Sequence, residues 1–202
     1  MTALRRVDRA GDGQAPAPVP APWGVDPALG RLVVAEDELQ AVVRALGERI
    51  SIDHRSRSDE PLLCVAVLKG AFLFMADLAR AITCPVDFDF MAVSSYGAAT
   101  KTSGVVRIVK DLDADLTDRH VIVVEDVVDS GLTLSWLRKN LLARSPASLE
   151  VCALLVKTGL QRQDPDLRYE GFRIPPDFVV GYGLDVNERY RNLPFICTYD
   201  PC

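Results

Sequence analysis

With only two histidines, His54 and His120, among its 202 residues, this chain has too few imidazoles for a histidine-based zinc centre. Its cysteines suggest no thiolate metal site or disulfide framework either. Cys64, Cys84, Cys152, Cys197 and Cys202 are odd in number and show no CxxC spacing. Cys64 and Cys152 fall inside apolar runs, which marks them as reduced core thiols. No apolar run reaches the roughly 18 residues that a membrane span requires. The N-terminus has no apolar signal core, and Arg5, Arg6 and Arg9 are broken up by Asp8 and nearby prolines, which spoils an amphipathic targeting helix. A cytoplasmic location without a membrane partner is the expectation. The net charge is −5, the wrong sign for a chain whose main partner is nucleic acid, because the phosphate backbone is held by clustered Lys and Arg. Neither GxxxxGK[ST] nor GxGxxG occurs, which excludes two familiar glycine-rich nucleotide loops.

What remains is the composition of an ordinary globular protein, 49% hydrophobic and 25% charged, long enough for one domain with a full core. Residues 1–28 hold five of the thirteen prolines, several in APAPVPAP, and are expected to be a disordered Pro/Ala-rich tail ahead of a domain spanning 29–202. Apolar spacing predicts a helix over 35–50, with Glu36, Asp37 and Glu38 at the end where the dipole favours acids. A polar connection over 54–60 follows. Leu62–Leu68 reads as a buried strand, closed by Lys69-Gly70 and a helix over 71–82. Strands are expected over 86–93 and 105–109, joined by SSYGAATKTSG, a long loop of small residues in which Tyr96 is the one large anchor. Val121–Val124 is a third apolar strand, Leu132–Leu142 a helix, and Leu149–Val156 a strand ending on Lys157. Residues 161–176 read as irregular, 178–183 as the last strand-like run, and Asp185 with 187–191 closes the chain of candidates. Strands alternating with helices predict an α/β fold with a mostly parallel twisted sheet flanked by helices. On such a sheet Lys69, Glu125 and Lys157 share the carboxyl edge, where ligands bind.

The most informative stretch is HVIVVEDVVDSGLTLSW, residues 120–136. Placing Glu125–Gly131 in the strand-to-helix turn brings Ser130, Gly131 and Thr133 to a helix N-terminus, whose unpaired N–H groups and partial positive charge suit a phosphate. Glu125, Asp126 and Asp129 would repel that phosphate unless they serve a sugar diol or a Mg²⁺ ion. A ligand carrying phosphate, ribose and metal fits the turn better than phosphate alone. Lys69-Gly70, read by itself, is an anion site or a plain surface turn, and Phe178, at the start of a strand-like run, reads as a core aromatic.

This stretch resembles, almost residue for residue, the 5-phosphoribosyl-1-pyrophosphate (PRPP) signature of type I phosphoribosyltransferases. LKG at 68–70, SSYG at 94–97, LLVK at 154–157 and DFVVGYGLDVNERYRNLP at 177–194 are similar to the matching segments of the hypoxanthine-guanine branch, in the same order. The resemblance covers roughly 30–200; residues 98–103 and 158–173 match poorly, and Leu132 stands where some relatives carry Lys. It implies a type I phosphoribosyltransferase fold with a small hood and a flexible lid loop, and a Mg²⁺-dependent attack of a 6-oxopurine on PRPP in purine salvage. Carried over residue by residue, Asp129 is the acid/base group at the purine N7. Lys69, Gly70 and Arg191 hold pyrophosphate, and Ser95 and Tyr96 form the lid. Glu125, Asp126, Ser130, Gly131, Leu132 and Thr133 bind ribose and 5′-phosphate. Lys157, Phe178, Val179 and Asp185 bind the purine, with Glu125, Asp126 and Asp185 serving the metal. A cis peptide before Lys69 and a homodimer or homotetramer are implied as well. A xanthine- or pyrimidine-preferring transferase and a PRPP-binding regulator without catalysis remain as alternatives.

Overall fold

The computed structural model describes residues 7–8, 19–20, 22–23, 26–56, 60–95, 106–161 and 165–200. The elements run β1 (Val7–Asp8), β2 (Leu29–Val34), α1 (Glu36–His54), β3 (Leu62–Leu68), α2 (Phe72–Ala81), β4 (Val86–Ser95), β5 (Val106–Lys110), β6 (His120–Val128), α3 (Leu132–Leu142), β7 (Ser148–Lys157), β8 (Tyr169–Ile174), β9 (Val179–Val180) and β10 (Ile196–Tyr199). The main sheet has the order β1-β8-β7-β6-β3-β4-β5. Its pairings are parallel except β4 with β5, which is antiparallel.

The continuous apolar runs are explained by burial on two faces. Leu62, Cys64 and Ala66 of β3 pack with Leu39, Val43, Leu46 and Ile50 of α1 and Phe74, Met75 and Leu78 of α2. The alternate residues Leu63, Val65 and Val67 face Leu134, Leu137 and Leu141 of α3 on the other side. Each fully buried Leu or Val of these stripes contributes about 1.5–3 kcal/mol relative to exposure. Cys64 and Cys152 are buried free thiols, and burial pushes the Cys64 thiol up to about 12. A second, three-stranded sheet, β2-β10-β9, forms the small hood over the carboxyl edge. It has its own cluster, Val180, Leu193, Phe195 and Cys197, against which Val19 and Trp23 pack. Part of the segment expected to be a tail therefore lies on the domain, and Val7–Asp8 pairs with β8. Among the described residues no helix is long and apolar enough to cross a membrane.

Several expected boundaries move. The helix expected over 35–50 runs on to His54, because the ring of His54 is buried and its Nε2 meets Glu150 Oε2 at 3.1 Å. Tyr169–Ile174, read as irregular, is strand β8, and the last strand is β10, not 178–183. The strand expected to end at Val124 continues to Val128, with Glu125, Val127 and Val128 in register with Ala153, Leu155 and Val156 of β7. Glu125 and Asp126 therefore project from a strand, and the turn is only Asp129–Gly131.

Candidate active site

Gly131 takes φ +76° and forms the N-cap of α3, a conformation that any L side chain adopts only with strain. The helix begins with no side-chain cap and no acidic residue in its first turn, and Ser135 N donates to Gly131 O at 2.9 Å. The helix start lies beside a cavity of about 170 Å³ whose lining includes Glu125, Asp129, Ser130, Gly131 and Thr133. Leu132 is exposed beside it. This is the geometry of an anion site of roughly phosphate size.

Next to that cavity the carboxylates sit in low-dielectric surroundings. Burial, reinforced by the Asp126 charge, raises Glu125 well above the usual carboxylate range. Burial also pushes Asp126 up to about 6, opposed by its N–H donors and by Arg191. Asp126 leans on the turn after β3: a β-carbon on Gly70 would overlap its Oδ2. Any side chain at this position would displace the Asp126 carboxylate. The Leu68–Lys69 peptide is cis, as expected. On the hood side a β-carbon on Gly183 would overlap the Gly70 carbonyl oxygen, so the bare Cα of Gly183 lets the hood backbone lie against the core turn.

At the end of β7, Lys157 Nζ lies 2.9 Å from Asp129 Oδ1, with the lysine side chain 11% exposed and the aspartate 53%. The ammonium is fixed by the sheet while the carboxylate reaches outward. Gln161 joins the same pair from behind: its Nε2 donates to Asp129 O at 3.0 Å and also to the Lys157 carbonyl. Val179 is buried in β9, and Phe178 beside it is 53% exposed, edge-on to Tyr199 at 6.1 Å between centroids. Phe178 is thus a surface ring, not a core aromatic. Asp185 Oδ1 holds Arg191 Nη2 at 2.8 Å, Arg191 Nη1 donates to Gly183 O at 2.6 Å, and Glu188 Oε2 lies 3.2 Å from Arg191 Nη2. Glu188 Oε1 also bonds Lys69 Nζ at 2.9 Å. Ser95 is the last residue of β4, paired with Val106, whereas Tyr96 lies outside the described residues.

Known proteins share this fold. The sequence profile of the phosphoribosyl transferase domain matches residues 36–187. This chain belongs to the phosphoribosyltransferase family. The hypoxanthine-guanine phosphoribosyltransferase of Mycobacterium bovis is 56% identical over 173 residues, covering 84% of this chain and 86% of the relative. A solved hypoxanthine-guanine phosphoribosyltransferase from Bacillus anthracis superposes with TM-score 0.78 at 44% identity, covering 84% of this chain and 98% of that one. A hypoxanthine phosphoribosyltransferase from Trypanosoma cruzi, solved as a point mutant in a ternary complex with substrates, does so with TM-score 0.81 at 36% identity, covering 86% and 97%. The chain is accordingly a phosphoribosyl-transferring enzyme of the type I fold.

One residue of this phosphoribosyltransferase site escapes sequence reasoning, Gln161, while Glu188 is reached only as a member of the run 187–191, with no role of its own. Gln161 lies in a stretch that matches the family poorly, and nothing in its spacing announces bonds to both ends of a charged pair. Glu188 does leave a trace: it follows Asn187 at a turn position where glycine is the usual occupant. Among the described residues no three His, Cys, Asp or Glu side chains gather as a metal cage. The carboxylates nonetheless fit Mg²⁺: they are hard oxygen donors, and Asp126 is held where burial disfavours its charge unless a cation lies near. Mg²⁺ is characteristically bound by one or two carboxylates together with substrate phosphates.

Proposed function

We propose that this enzyme serves purine salvage, transferring the 5-phosphoribosyl group of PRPP to N9 of hypoxanthine or guanine and releasing pyrophosphate with IMP or GMP. The observation that carries the reading is the Lys157–Asp129 pair beside the helix-capped phosphate cavity. The pair offers a fixed donor and an acceptor side by side, as a 6-oxopurine requires. The N9–C1 bond forms as the bond from C1 to pyrophosphate breaks, and the ring proton at N7 passes to the Asp129 carboxylate. Lys157 donates to O6. Adenine is rejected because its amino group would face an ammonium with no acceptor between them. Phe178 stacks on the purine, and the Val179 backbone reads its edge.

Positive charge grows on the ribose as pyrophosphate leaves, so the leaving anion must be stabilised and water kept out. Lys69, the Gly70 amide and Arg191 serve the first need, and the loop after Ser95, with Tyr96, the second. The N–H groups of residues 130–133 cradle the 5′-phosphate, while Glu125 and Asp126 take the ribose hydroxyls. Mg²⁺ bound near Glu125 and Asp126, with a second ion near Asp185, would neutralise the pyrophosphate charge. The buried free thiols support a reducing, cytoplasmic setting. The enzyme assembles as a homodimer or homotetramer. Phe88 and Phe90, partly exposed on one face of β4, are apolar surface of the kind an assembly covers.

A spectrophotometric assay with PRPP, Mg²⁺ and each of hypoxanthine, guanine, xanthine, adenine and uracil tests the function. Turnover of hypoxanthine or guanine well above the others is expected. Turnover of none would leave a PRPP-binding regulator in its place.

A further inference from the structure

The two cations assigned to the pyrophosphate share one protein anion. Glu188 Oε1 is 2.9 Å from Lys69 Nζ, and Glu188 Oε2 is 3.2 Å from Arg191 Nη2 and 3.3 Å from Nε. Arg191 does not need this contact to keep its place, because Asp185 holds it at 2.8 Å and the Gly183 carbonyl at 2.6 Å. Glu188 is also kept at a backbone cost. Val186 and Arg189 exchange two backbone hydrogen bonds across a tight turn, and the central residues Asn187 and Glu188 both have positive φ, 50° and 64°. That turn favours Asn-Gly, and a glutamate in its second central position is strained. Glu188 N donates to Asp185 Oδ2 at 2.8 Å, which aims the residue across the hood toward Lys69. A turn that would relax with glycine instead carries a carboxylate spanning the two pyrophosphate-binding cations.

We infer that Glu188 is an internal competitor of pyrophosphate: its carboxylate and the leaving anion exchange on Lys69 and Arg191, so that Glu188 weakens pyrophosphate retention and speeds its release. The inference rests on the proposed function. When pyrophosphate is held, the Glu188 carboxylate turns out to water, where its 62% exposed side chain already has access. When pyrophosphate departs, the carboxylate returns and neutralises the two cations. No bond is made or broken. The exchange belongs to product release, a step that limits turnover in many enzymes.

The test is product inhibition by pyrophosphate, in the presence of Mg²⁺ and at fixed purine, in the parent enzyme and in Glu188→Gln and Glu188→Gly. Both variants are expected to lower the inhibition constant of pyrophosphate about fivefold, the size expected for losing two exposed ion pairs. The KM for PRPP should fall in the same sense and the KM for purine should not change. Glu188→Gly should not lower the Tm, because glycine accepts the turn without strain. An inhibition constant that is unchanged or higher in both variants would overturn the inference and make Glu188 a clamp that orients Arg191. An inactive parent enzyme would instead overturn the proposed function, so the two failures are distinguishable.

Discussion

In the proposed reaction most of the chemistry falls to the ion pair between Asp129 and Lys157. Asp129 emerges at the solvent edge of the turn and Lys157 at the end of a buried strand, so the two substitutions separate cleanly. Asp129→Asn is expected to lower kcat on the order of 10²-fold while PRPP still binds, because an amide cannot take the N7 proton; steady-state kinetics with calorimetric PRPP titration checks it, and an unchanged kcat removes Asp129 from the base role. Lys157→Ala is expected to weaken 6-oxopurine binding much more than PRPP binding. Equal losses would show that Lys157 does not read the base. Asp126 adds a pH signature. Its folded value, about 6, lies above the 3.8 of an ordinary aspartate. Both states are protonated well below pH 3.8. As pH rises toward 6 the unfolded chain ionises first, and stability from this residue falls until the folded group also ionises. Asp126→Asn should therefore raise the Tm at about pH 8, by roughly 2–4 °C per kcal/mol recovered, and weaken the stabilisation that Mg²⁺ with PRPP gives. A lower Tm in the variant at that pH would contradict the assignment. Lys69 and Lys157 were legible in the sequence because each follows an unbroken apolar run, which fixes it at a strand end, whereas Asp129 was legible through the resemblance of 120–136 to the PRPP signature. Gln161 was not, since its two acceptors are backbone carbonyls that only the fold brings together.

At the level of elements, apolar runs and helical spacing located α2, α3, β3, β4 and β7 to within a residue or two. The shortfalls have physical causes. Hydrophobicity stops at Val124, but the ladder to β7 does not, so Glu125 and Asp126 were assigned to the turn when they belong to β6. β8 is flanked by polar and proline-containing segments and carries Glu170 and Arg173, which form an ion pair within the strand. The hood strands β2, β9 and β10 are two to six residues long, too short to establish a period. The turn after β3 gives a sharp test at this scale. Gly70→Ala is expected to reduce activity by more than about tenfold, because the added methyl overlaps Asp126 while the hood backbone at Gly183 blocks retreat. A variant with parental kinetics would mean that the β3 turn and Asp126 are not coupled.

For the molecule as a whole, the Gly183–Gly70 contact and the Glu188–Lys69 ion pair join the hood to the carboxyl edge of the main sheet, beside the turn proposed to hold pyrophosphate. Sedimentation velocity should show a dimer or tetramer, and a monomer at micromolar concentration would contradict the assembly proposed. The most direct measurement is a crystal structure with a 6-oxopurine nucleoside monophosphate bound. The account predicts the phosphate on the backbone N–H groups of residues 130–133, O6 at Lys157 Nζ and N7 at Asp129. A phosphate seated anywhere else, or a base turned away from Lys157, would contradict it.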